Sequence, residues 1–232
     1  MSQIAERMQA VRERIAAAAK ASGRQPDEVR LLAVSKTFPA TDIALAVAAG
    51  QNAFGENYVQ EALAKISSLC HLAQIEWHLI GPLQSNKTAA VAANFAWVHS
   101  VDREKIAARL SAARPATSPP LSVCVQVNIS GEATKSGVAP DEAVALAASV
   151  AAMPGLRLRG LMGIAELGMQ SGIPRQQFRL LRSLRDELRS RGIELDTLSM
   201  GMSADLEAAI AEGSTMVRIG SAIFGDRHVE AT

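Results

Sequence analysis

Apolar residues fall along this chain in two alternating rhythms. Ile4, Met8, Val11 and Ile15 recur at helical spacing with Glu6, Arg7, Arg12, Glu13 and Arg14 between them, which predicts an amphipathic opening helix. After it, short β-like runs alternate with longer stretches of 3.6-residue periodicity. The runs cover 29–35, about 52–55, 75–80, 96–101, 121–128, 156–162, 197–200 and 216–220. The helical stretches between them cover 41–49, 58–69, 87–93, 103–113, 140–152, 174–191 and 204–212. Start signals precede several of these: Thr41-Asp42 ahead of Ile43, Ser85-Asn86 ahead of Lys87, Pro140-Asp141-Glu142, and Ser203 with Asp205 beside Leu206.

Eight strand–helix alternations with mostly short connections argue for parallel pairing and closure, so the expected fold is α/β: a single (β/α)8 TIM-type barrel over residues 1–232, with an extra N-terminal helix. A doubly wound open sheet is the competitor. It would place a glycine-rich dinucleotide turn after the first strand, where Ser35-Lys36-Thr37-Phe38-Pro39 stands instead. The linker-like stretch 114–120 would leave too few strands on either side to close, so it is expected to be a loop.

Composition narrows the function classes. The 24 basic and 23 acidic residues give no basic face, and an aromatic content of 3% leaves few rings on which bases could stack, so no nucleic-acid partner is expected. Cys70 and Cys124 lack metal-like spacing and read as reduced thiols. No run reaches the 18 or so apolar residues of a membrane span, and the first helix has no secretory character, so a soluble cytoplasmic protein is expected. Polar helix faces lean towards a monomer.

The chemistry of such a barrel sits at the C-terminal ends of its strands. Lys36 ends the first, Asn57 follows the second, His78 lies in the third and Asn128 ends the fifth; Ser199, Met202 and Ser203 follow the seventh, and Arg218, Gly220 and Ser221 end the eighth. Lys36 is one of six lysines, the others being Lys20, Lys65, Lys87, Lys105 and Lys135 in polar helical or loop contexts. A strand-end lysine either snorkels to water or is partly desolvated and used as a nucleophilic amine. Period-2 alternation puts Lys36 on the face of Val34 and Leu32, and Arg218 on the face of Met216 and Gly220, so both cations are expected to point inward. Two such cations are compatible if one is neutralised by imine formation or both share an anionic ligand. The turns 199–203 and 220–221 supply N–H groups and hydroxyls suited to an anion. His78 reads equally as a hydrogen-bonded core histidine, and nothing around it makes a metal set.

Five segments together resemble one family. They are Leu32-Ala33-Val34-Ser35-Lys36-Thr37, Phe54-Gly55-Glu56-Asn57-Tyr58-Val59-Gln60-Glu61, Trp77-His78-Leu79-Ile80-Gly81-Pro82-Leu83-Gln84-Ser85-Asn86-Lys87, 198–205 and 216–225. They are similar to the pyridoxal 5'-phosphate homeostasis protein family. The resemblance implies a barrel like the N-terminal domain of alanine racemase, with pyridoxal phosphate (PLP) held as an imine on Lys36. It also implies that Arg218 faces the pyridine nitrogen, that Ser203, Gly220 and Ser221 hold the phosphate, and that Asn57, His78 and Met202 line the ring pocket. The chain departs from the family pattern at Phe38, where some relatives carry another cation, and at 163–168.

The expected function is therefore intracellular PLP homeostasis by a carrier without substantial catalysis, with apo PLP-dependent enzymes as possible acceptors. A small PLP-dependent amino-acid racemase is the alternative, and a cofactor-free Schiff-base aldolase using Glu56 as base is a third reading. Tyr58 is the single tyrosine, at a predicted helix start, and Lys135 reads as a loop cation with a transient contact as its other role.

Overall fold

The computed structural model describes residues 2–132, 134–166 and 172–225. Helix α1 (Gln3–Ala21) opens the chain, and a short 3-10 turn at Pro26–Glu28 leads into β1 (Arg30–Val34). Then follow α2 (Ala40–Ala48), β2 (Ala53–Glu56), α3 (Val59–Ser68), β3 (Glu76–Leu79), α4 (Thr88–Asn94) and β4 (Trp97–Val101). The second half runs α5 (Glu104–Ala113), β5 (Leu121–Val127), α6 (Pro140–Ala151), β6 (Leu156–Gly163) and α7 (Ile173–Ser190). It ends with β7 (Thr197–Ser199), α8 (Leu206–Ala211), β8 (Met216–Ile219) and α9 (Ser221–Phe224).

All strand pairs are parallel, each strand lies beside its neighbour in sequence, and β8 returns to pair with β1, so the sheet closes. The eight expected strands are all present within a residue or two. Helix α9 is additional, a single turn too short to show periodicity. The 114–120 segment is a loop, pinned by Arg114, whose guanidinium donates to the carbonyls of Ala92, Phe95 and Pro119.

Most of the apolar core lies between barrel and helices, where Ala33, Phe54, Leu79, Val98, Val123, Leu161, Leu198 and Val217 meet the helix faces. The barrel interior is different. It holds two small apolar clusters, Leu32 with Ala53 and Met216, and Trp97 with Cys124 and Met162. Buried polar side chains fill the space between them, among them His78, His99, Ser199 and Arg218. Burying unpaired polar groups is costly, so such an interior holds together only if its members satisfy one another.

Helix α1 buries Ile4, Met8, Val11 and Ile15 and is capped by the Ser2 hydroxyl, which accepts from the Ala5 N–H. Arg14 on its outer face forms an ion pair with Glu207 and donates to the Ser203 carbonyl at 2.7 Å. The extra helix thus braces the loop after β7. Among the described residues no helix is long and apolar enough to cross a membrane.

Candidate functional site

Lys36 lies two residues past the end of β1 and is half-buried, with the inward-facing Leu32 preceding it on the strand. Its two neighbours are tightly held. The Ser35 hydroxyl donates to Glu56 Oε1 at 2.6 Å, and the Ser35 carbonyl accepts from Lys65 Nζ at 2.7 Å. Thr37 adopts a left-handed conformation, φ 68°, and its N–H donates to Glu61 Oε1 at 2.6 Å. A β-branched residue at positive φ is strained, and here the surroundings impose it next to the lysine.

Lys65 is not in the polar context expected of it. It is buried on the inner face of α3, where it bridges Glu56 (2.8 Å) and Glu61 (2.6 Å). Glu56 is fully buried, and burial raises its pKa even though Lys65 and Ser35 pull the other way. That carboxylate is occupied as a structural partner, which weakens its candidacy as the base of an aldolase.

Arg218 lies opposite Leu32 on the neighbouring strand, inside the barrel as its parity with Met216 requires. Its Nη1 donates to the carbonyl and, at 2.9 Å, to the hydroxyl of Ser199; its Nη2 donates to the Gly163 carbonyl at 2.9 Å. Every one of these acceptors is neutral. Burial lowers the guanidinium to about 10, opposed by the Asp205 carboxylate, so it remains a cation at neutral pH.

The turns beyond β7 and β8 close around the same end. Gly201 has φ 97°, and a Cβ there would come within 2.6 Å of Ala209 Cβ, so glycine is required for the turn to pass this close to α8. Met202 and Ser203 follow half-buried, and the Met202 N–H donates to Asp205 Oδ1. Burial raises the Asp205 pKa, and its Oδ2 has no hydrogen-bond partner among the described residues. Gly220 packs against the Val34 carbonyl and Ser221 starts α9 with its side chain exposed. Phe38 is buried, stacking on Phe224 with ring centroids 5.0 Å apart, so the β1 loop and α9 clasp each other. The position at which some relatives carry a cation thus serves as an aromatic clasp.

His78 lies on β3 inside the barrel. It is fully buried, Nδ1 lies 2.9 Å from His99 Nε2, and Nε2 lies 2.7 Å from Glu76 Oε1, so both ring nitrogens are occupied inside the barrel. It is a hydrogen-bonded core histidine, stacked on Trp97 at 5.3 Å. Burial lowers it to about 4 against the pull of Glu76, and burial likewise holds His99 well below the ordinary range. Burial would raise Glu76, but His78 and Arg30 outweigh it and bring this carboxylate to about 2.

Asn57 is half-buried after β2, and its backbone presses on Gly81, where a Cβ would lie 2.3 Å from the Asn57 carbonyl oxygen. With Gln126, Asn128 and Lys135 it lines a mouth cavity of about 220 Å³. Lys135 is a loop cation 3.9 Å from Glu132, and Tyr58 projects into solvent at the start of α3. Of the segment 163–168 that departs from the family pattern, Leu167 and Gly168 lie outside the described residues.

The structure therefore gathers Ser199, Met202, Ser203, Arg218, Gly220 and Ser221 around two adjacent strand ends, with Lys36 just past the end of the next strand and Asn57 just past the one beyond it. His78 serves the interior behind them. The matching family model is the alanine racemase N-terminal domain, over residues 7–228. A pyridoxal phosphate homeostasis protein of Pseudomonas aeruginosa is 57% identical over 98% of this chain and 97% of its own length. The chain belongs to the pyridoxal phosphate homeostasis protein family. A solved structure, PipY of Synechococcus elongatus with PLP bound, is 37% identical and matches 96% of this chain and all of that one with a TM-score of 0.83. An alanine racemase of Clostridium difficile, 14% identical, shares the fold over 88% of this chain and 54% of that one, TM-score 0.72.

Proposed function

We propose that this family member binds PLP as a Schiff base on Lys36 and serves vitamin B6 homeostasis as a carrier rather than a catalyst. The observation that carries this reading is Arg218: a buried cation whose hydrogen bonds among the described residues go to neutral acceptors, on the strand beside the one that delivers Lys36. The residues present suit the cofactor. A lysine amine suits an aldehyde, the Ser203 and Ser221 hydroxyls with the Gly220 N–H suit a phosphate, and a guanidinium suits a ring nitrogen with a free lone pair. The solved PLP complex of PipY and the names of the closely similar relatives add support.

When bound, the cofactor supplies an electron-withdrawing ring that is strongest with a protonated nitrogen. Arg218 opposes that state. A guanidinium only donates, so the atom it faces must accept and stays unprotonated. Catalysis at an amino-acid carbon also needs acid and base groups on both substrate faces. Tyr58, 58% exposed at the helix start, is turned to solvent. Lys36 and the β7–β8 turns thus hold the ligand, Asn57 and Met202 bound it, and Ser199 fixes Arg218.

The test is transfer. Loaded protein mixed with an apo-enzyme that requires PLP is expected to lose its yellow imine band while the enzyme gains activity. Racemisation of amino acids at ordinary enzymatic rates would overturn the carrier reading in favour of a racemase.

A further inference from the structure

Inside the barrel, five contacts join end to end. Arg30 Nη1 lies 2.7 Å from Glu76 Oε1, which lies 2.7 Å from His78 Nε2. His78 Nδ1 lies 2.9 Å from His99 Nε2, His99 Nδ1 lies 2.9 Å from Ser199 Oγ, and Ser199 Oγ accepts from Arg218 Nη1 at 2.9 Å. Glu76 is one-third exposed; the two imidazoles and Ser199 are fully buried. We infer that Glu76, His78, His99 and Ser199 form a one-way hydrogen-bond relay that positions the Arg218 guanidinium as donor to the ring nitrogen of bound PLP.

The direction follows from the ends. Glu76 is an ionised carboxylate between Arg30 and His78, so it only accepts, and His78 Nε2 must carry the hydrogen. Both imidazoles are neutral. Burial opposes a proton on either, and the cations at the two ends, Arg30 and Arg218, add to that, while Glu76 pulls the other way on His78 alone. A neutral His78 with its hydrogen on Nε2 has an accepting Nδ1, so His99 must donate from Nε2. His99 Nδ1 then accepts, and the group in front of it, the Ser199 hydroxyl, donates. With its proton committed to His99, Ser199 presents a lone pair to Arg218. The opposite order would aim the Nε2 lone pair of His78 at a carboxylate.

Every hydrogen in the relay therefore points from Arg218 towards Glu76, an arrangement in which successive bonds polarise one another. Stacking holds the His78 ring in line. His78 is stacked on Trp97 with the planes 9° apart, and Arg159 lies 4.8 Å over the other aromatic partner, Trp97. Nonpolar residues would fill a barrel interior at less desolvation cost than two histidines, so the relay has to be explained by what it holds. What it holds is a guanidinium that must keep one orientation among neutral acceptors.

This inference rests on the PLP reading above, and two experiments separate their failures. In the apo-protein labelled with 15N-histidine, long-range 15N–1H spectra are expected to show His78 and His99 as neutral Nε2–H tautomers between pH 6 and pH 8. A hydrogen on Nδ1 of either ring, or an imidazolium, overturns the relay whatever the ligand. In PLP-loaded protein, Ser199→Ala and His99→Leu are expected to keep a borohydride-reducible band on Lys36 but to shift its absorption maximum and to speed PLP release about tenfold, the scale of one hydrogen bond to a charged group. His99→Gln, which retains a donor and an acceptor, is expected to recover most of the parent's band position. Ser199→Ala and His99→Leu proteins with the parent's band and release rate overturn the relay alone; a parent that never forms the band overturns it together with the cofactor reading.

Discussion

Replacing Lys65 by methionine tests how the loop bearing Lys36 is held. The Lys65 ammonium donates to the Ser35 carbonyl at 2.7 Å, Glu56 Oε1 at 2.8 Å and Glu61 Oε1 at 2.6 Å. Methionine keeps most of the volume and removes all three. Glu61, 28% exposed, can be rehydrated and contributes little. Glu56 cannot: it is fully buried, and its Oε2 already lacks a partner among the described residues. Removing one partner of a buried pair costs about 3–5 kcal/mol. At about 2–4 °C per kcal/mol for a chain of this size, the midpoint should fall by roughly 6–20 °C near neutral pH.

The sign with pH follows from Glu56. Burial already raises its pKa in the folded state, and losing Lys65 removes the influences that lower it, so the folded value rises further. For a raised acid, stability is present below the unfolded pKa and lost as pH rises through the folded one. The penalty of Lys65→Met is therefore largest at about pH 7.5 and smaller at about pH 5, and Glu56→Gln added to it should restore much of the loss. Circular dichroism melts of the three proteins at the two pH values decide it. A single variant that melts with the parent at pH 7.5, or a loss as large at pH 5 as at pH 7.5, refutes the reasoning.

Other sites give independent checks. Gly81→Ala drives a methyl into the Asn57 carbonyl, and a cost of about 1–3 kcal/mol together with weaker PLP binding is expected from melts and titration. Glu212 is 2% exposed and paired with Arg175, Arg179 and Arg182; burial would raise its pKa, but the arginines outweigh this and lower it, so its stabilisation is present above the unfolded pKa and lost as pH falls through the folded one. Glu212→Gln should accordingly cost about 1–3 kcal/mol at neutral pH and progressively less in acid, and a flat difference would count against it. Cys124 is fully buried, its thiol pushed up to about 12 by burial, whereas Cys70 is exposed; a maleimide should label the native protein once, at Cys70, as peptide mapping would show.

Strand positions were legible because eight short apolar runs, each followed by a longer helical pattern, admit few arrangements, and parity alone turned Leu32 and Arg218 to the barrel interior. Lys65 was also legible in principle. Val59, Ala62 and Lys65 share the buried face of α3, yet Glu61 four residues before it gives the look of an ordinary surface pair. His99 and Glu76 were not. Their roles depend on which residue of one strand faces which of another across the barrel, and period-2 alternation within a strand does not determine that register. His78 shows the same limit: its strand and face are written in the sequence, but whether it meets a ligand or a second histidine is decided by β4.

The central claim is a bond between PLP and one amine. Borohydride reduction of the loaded protein, followed by digestion and mass mapping of lysine-containing peptides, should find a single phosphopyridoxyl group, on Lys36, and none in Lys36→Ala. A label on another lysine of the parent, or no label at all, would contradict the account.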